Sequence, residues 1–116
     1  MQYALLLYED EQAYSSPDKN GPETKALLAQ HMAFQQEIGA ARITSAGLKG
    51  TATATTLRRR GGKHTIHDGP FAEAKEQLGG LYIIEAPNLD AAIAIAKRIP
   101  AAQDCTVEIR PVLGRG

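Results

Sequence analysis

From Tyr3 to Tyr8 nearly every side chain is apolar, with Tyr3, Leu5 and Leu7 alternating with Ala4, Leu6 and Tyr8. That is the pattern of a strand covered on both faces. Leu81-Tyr82-Ile83-Ile84 repeats it. Between them the period changes. Gly21-Pro22-Glu23 places a proline at a first helical position, and Leu27, His31, Phe34 and Ile38 fall in one arc at ~100° per residue. The spacing predicts a helix over Pro22 to Ile38 that stops at Gly39, with His31 inside its apolar stripe. Asn88 caps a second helix whose stripe is Leu89, Ala92, Ile93, Ala96 and Ile99, ended by Pro100.

Shorter strand patterns fill the rest. Arg42 to Ala46 reads as a strand with Gly47-Leu48-Lys49-Gly50 as its exit, and Thr106 to Arg110 alternates as a strand with one wetter face. Thr53 to Arg59 and Lys63 to His67 are β-prone and meet across Arg60-Gly61-Gly62, a glycine turn suited to a hairpin. A polar loop with Ser15-Ser16-Pro17 precedes the first helix, and a short Gly-containing tail follows Pro111. The order is β-α-β, an inserted hairpin, then β-α-β: an α+β, ferredoxin-like plan in one domain spanning 1–116. Two helices cover one face of such a sheet. The doubly apolar strands therefore call for a second copy packed face to face, a dimeric α/β barrel.

Composition narrows the partners. The 13 basic and 13 acidic side chains cancel, so no global field draws the chain to nucleic acid or an anionic membrane. No apolar run is long enough to span a bilayer, and Met1-Gln2-Tyr3 enters a strand pattern directly, so a cytoplasmic location is expected. The single Cys105 has no internal disulfide partner and reads as a small buried filler.

The chemistry concentrates in Asp68-Gly69-Pro70-Phe71-Ala72-Glu73-Ala74-Lys75-Glu76, where Gly-Pro bends the chain and ionisable groups follow at once. His31, set among apolar residues, needs a hydrogen-bond partner: Asp68 in a catalytic pair, or a backbone carbonyl in a filled core. Asp68 suits either orienting that imidazole or holding its own turn. Arg58 suits a carboxylate or phenolate, while Arg60 flanks the turn. Glu73, Lys75 and Glu76 fit a solvated or dimer salt-bridge network, and their adjacency to Asp68 also fits a pocket rim. Arg58, Phe71, Glu73 and Lys75 make up the candidate substrate-binding set. His64 and His67 are three apart on a strand and point to opposite faces, which makes them poor joint metal ligands. Gly61-Gly62 and Gly79-Gly80 match no phosphate-binding pattern, and no G-x-S-x-G elbow occurs, so neither metal nor cofactor is expected.

The signature from Asp68 to Glu76 resembles that of the YCII-related family, DGPF-domain subgroup, with Ala74 where the pattern usually has Thr. Met1 to Tyr8, His31, Gly47-Leu48, Thr56-Leu57-Arg58, Gly79 to Ile84 and Val107 to Pro111 extend the resemblance over nearly the whole chain. It implies a dimeric, ferredoxin-like α/β barrel and a His–Asp dyad, which falls on His31 and Asp68. The resulting expectation is a homodimer that binds a small molecule and transfers protons without a cofactor, by elimination or isomerisation of a polar-aromatic or carbonyl compound. The alternative is a non-catalytic ligand-binding or regulatory accessory protein, as the family's link to extracytoplasmic-function sigma factors suggests.

Overall fold

A computed structural model describes residues 1–16, 18–101 and 104–114; Pro17 of the polar loop and the last two residues of the tail lie outside the described residues. The fold is α+β, with two antiparallel sheets and two helices, compatible with a ferredoxin-like plan. The main sheet contains β1 (Gln2–Glu9), β2 (Arg42–Gly47), β5 (Gln77–Glu85) and β6 (Thr106–Pro111) in the order β2-β5-β1-β6. Helix α1 (Pro22–Ile38) joins β1 to β2, and α2 (Leu89–Ala96) joins β5 to β6. Strands β3 (Thr55–Arg60) and β4 (Lys63–Asp68), between β2 and β5 in sequence, form a separate two-stranded sheet.

Register decides which apolar residues meet the helices. Leu5 lies opposite Tyr82 on one side and Ile109 on the other, and Tyr3 lies opposite Ile84. Tyr3, Leu5, Leu7, Tyr82 and Ile84 are buried with Phe34 of α1, Ala92 of α2 and Ala86. Ile38, Ile95, Ile99, Val107 and Ile109 close the edges of this cluster. The opposite face presents Ala4, Leu6, Tyr8, Leu81 and Ile83, all half-buried. Among the described residues, both helices pack on the buried face, through Phe34 of α1 and Ala92 of α2.

Local chemistry fixes the ends of these elements. Pro22 opens α1, and Glu23 in its first turn accepts from the Ser15 amide and hydroxyl, tying the preceding loop to the helix. Asn88 Oδ1 accepts from the Ala91 amide to cap α2. That helix is shorter than its stripe predicts: after Ala96 the bonds tighten to Arg98 N–H to Ile95 O and Ile99 N–H to Ala96 O. Strand β5 is longer than predicted, beginning at Gln77 and running through Gly79-Gly80. Strand β3 starts later, because Thr51–Thr53 form a 3-10 turn. Among the described residues, no helix is long and apolar enough to cross a membrane.

Candidate functional site

On α1, His31, Phe34 and Gln35 share a face, as three- and four-residue spacing requires, and together they cup the phenol of Tyr82 from β5. The imidazole stacks on the phenol with centroids 5.9 Å apart and planes at 21°, while Phe34 meets it edge-on at 5.5 Å. His31 Nδ1 is 2.6 Å from the Tyr82 hydroxyl, and Gln35 Nε2 donates to the same oxygen over 3.4 Å. The direction of donation between this hydroxyl and Nδ1 follows the imidazole tautomer, since the phenol oxygen can give its proton to Nδ1 or accept from it beside Gln35. Burial lowers the His31 pKa, against the opposing charge of Glu9. Burial raises that of Tyr82, against the Gln35 hydrogen bond and the charge of Arg42.

This pair lines a cavity of about 580 Å³ between α1 and the sheet. Leu27, Leu28 and Leu48 supply apolar wall. Glu9, at the end of β1, and Lys19, from the loop before α1, supply charge. Their side chains are only 15% and 9% exposed, and Lys19 Nζ lies 3.0 Å from Glu9 Oε2. The ammonium also donates to the Leu48 carbonyl at 2.9 Å and sits 4.9 Å from the Tyr14 ring centroid. Lys19 adopts φ +54°, a left-handed backbone uncommon for a side chain of this kind. The Lys19 ammonium is the charged partner of Glu9 Oε2, which makes no further hydrogen bond among the described residues. Burial first, then hydrogen bonding and charge from Glu9, push the Tyr14 hydroxyl far up.

Gly79 explains how a carboxylate fits there. A Cβ on this buried residue would run into the Glu9 side chain, 2.7 Å from its Cγ, and one on Gly80 would lie 3.1 Å from the Ala46 carbonyl. The glycine pair makes room for Glu9 and for the close approach of β2. Cys105 also lines the cavity, half-buried, its thiol pKa raised mainly by burial.

The residues singled out from sequence do not gather in one place. His31 is in the cavity. Asp68 is exposed at the end of β4, opposite Thr55, and is not among the cavity-lining residues; within the chain His31 pairs with Tyr82 instead. Arg58 and Phe71 are brought together, Arg58 Nη2 donating to the Phe71 carbonyl at 3.0 Å, with the Phe71 ring exposed. Glu73 and Lys75 line a second, more open concavity beside Glu11, Thr51 and Pro70. Glu76 accepts from the Thr106 hydroxyl at 3.1 Å. Sequence reasoning missed Tyr82, Glu9, Lys19 and Gln35. The available signals were two glycines inside an apolar strand and an acidic residue ending an apolar one.

An uncharacterized protein of Rhizobium meliloti (strain 1021) is 37% identical over 116 residues, covering 97% of this chain and 92% of that protein. The YCII-related domain matches residues 1–114. On both grounds, the chain belongs to the YCII-related domain family.

Proposed function

We propose that the cavity beneath α1 binds a small carbonyl or polar-aromatic compound and that the chain catalyses a cofactor-independent proton transfer on it. The observation that carries this reading is an imidazole hydrogen-bonded to Tyr82 in one cavity with the largely buried carboxylate of Glu9. The two groups divide the work. His31 Nε2–H donates to the ligand carbonyl, and Glu9 takes a proton from the adjacent carbon as negative charge moves onto the oxygen. Returning the proton at another atom gives isomerisation; departure of a leaving group gives elimination. The cavity volume suits a small ligand, and the leucine walls suit an apolar ring or chain.

The test is a metabolite screen by thermal shift, followed by turnover of the confirmed ligand. His31→Asn should abolish turnover while the fold is kept, and Glu9→Gln should abolish it at a cost in stability, since the Lys19 ammonium loses its counter-charge. Asp68→Asn tests the dyad: slowing as deep as in His31→Asn would bring Asp68 into the chemistry through another copy of the chain. Full activity in His31→Asn would defeat the mechanism.

The rival reading, a ligand-binding or regulatory protein without catalysis, draws on the same pair, since Tyr82 already satisfies His31. Binding that survives in His31→Asn, with no product formed by the wild type, favours it. In both readings the bare sheet face carrying Leu6, Tyr8, Leu81 and Ile83 packs on a second copy, making a homodimer.

A further inference from the structure

The β3–β4 hairpin is the part of the chain least accounted for by its own fold. It forms a sheet by itself, and every residue from Thr55 to Asp68 is exposed except Thr56. Gly61 and Gly62, at φ +53° and +78°, make a tight turn, but an isolated two-stranded ribbon is marginal in water. Its two faces differ. Leu57 lies directly opposite Ile66, 54% and 71% exposed, with the Thr55–Asp68 and Arg59–His64 pairs on the same face. The other face carries Thr56–His67, Arg58–Thr65 and Arg60–Lys63. At the base, Phe71 is 74% exposed.

We propose that this hairpin is an arm that grips a second copy of the chain, with its Leu57–Ile66 side turned to the partner. The proposal rests on the homodimer reading above and specifies what holds it. Charge selects the occupant. From Thr55 to Asp68, Arg58, Arg59, Arg60 and Lys63 stand against Asp68 alone, a net charge of +3 on the arm as a whole, with Arg59 and Asp68 on the Leu57–Ile66 side and the other three cations behind it; in a chain of net charge zero the remainder carries −3. Arm against arm repels; arm against body attracts. Acidic groups lie at the β6 margin of the bare sheet face. Glu108 is exposed opposite Leu6 of that face, Glu76 accepts from Thr106 of the same strand, and Arg110, opposite Ala4, is the cation among them, so the margin carries a net charge of −1. Sheet centres that meet face to face leave this margin for the partner's arm, whose Leu57 and Ile66 prolong the apolar contact while Arg59 faces the acidic edge. Two-fold symmetry makes the exchange reciprocal.

Light scattering across a dilution series measures the dimer Kd for the wild type, for Leu57→Ser with Ile66→Ser, and for Leu6→Asp. The arm residues lie outside the core, so the serine variant should keep its circular dichroism spectrum. The expected result is a wild-type dimer that loosens as salt is added and whose Kd rises at least ~10-fold in the serine variant. An Arg59→Gln variant, with the apolar pair intact, should weaken the dimer and reduce its salt dependence. If Leu6→Asp dissociates the dimer and neither arm variant does, the arm proposal falls while face-to-face pairing stands. If only the arm variants dissociate it, the arm stands without sheet pairing. A wild type that stays monomeric, including one whose arm binds a DNA duplex, overturns both.

Discussion

The Tyr82 hydroxyl stands 2.6 Å from His31 Nδ1, so a residue on the central sheet is the hydrogen-bond partner that a helical imidazole needs. Tyr82→Phe keeps the stacked ring and removes that partner. Nδ1 then loses its hydrogen bond in a half-buried setting, which should cost about 1 to 3 kcal/mol of stability by chemical denaturation. Nitrogen-15 NMR should show the lost bond at His31 Nδ1, and turnover should fall with ligand binding less affected.

The His31 pKa is lowered by burial, which gives stability a signed pH dependence. Between the folded-state pKa and the unfolded value of about 6.5, the unfolded chain binds the proton more readily. The contribution is therefore fully present above about 6.5 and is lost as pH falls through the folded-state value. Thermal melts from neutral to acidic pH should show a loss in the wild type that is shallower in His31→Asn. Equal slopes in the two proteins would refute this.

Gly79→Ala should act through Glu9. The added methyl group occupies the space of the Glu9 side chain, which Lys19 holds in place, so the carboxylate has to leave its seat or the strand has to shift. We expect a loss of about 1 to 3 kcal/mol in denaturant midpoint experiments and weakened binding of any cavity ligand. Unchanged stability and binding would mean that Glu9 moves freely and is not fixed by this ion pair.

Lys19→Ala leaves the Glu9 carboxylate half of a broken, largely buried pair and also removes the bond to the Leu48 carbonyl. A destabilisation of about 3 kcal/mol is expected, larger than for an exposed pair such as Arg98 with Glu37. Paired urea titrations of Lys19→Ala and Arg98→Ala check the contrast.

Element order was readable from the chain because it depends on local periodicity. Pro22 to Ile38, the Asn88 cap and the Gly61-Gly62 turn follow from residues close in sequence, and each is present in the fold. The doubly apolar runs at Tyr3 to Tyr8 and Leu81 to Ile84 also announced a sheet with two apolar faces. The family was legible in the motifs spread along the chain. The site was legible only at His31, whose place within an apolar stripe demanded a partner but did not name one.

That partner was settled by strand register, a long-range property that local spacing does not encode. Setting Tyr82 opposite Leu5 puts the phenol under α1, and the β4 pairing carries Asp68 away to the end of an exposed hairpin. Glu9 and Lys19 are ten residues apart and read as ordinary surface charges; a loop turned through a left-handed residue and a strand cleared by Gly79 make them a buried pair. The sequence by itself determined the elements, their apolar faces and the family, because these rest on neighbours along the chain. Only the tertiary structure decided which polar groups share a cavity, because that depends on how residues distant in sequence are brought side by side.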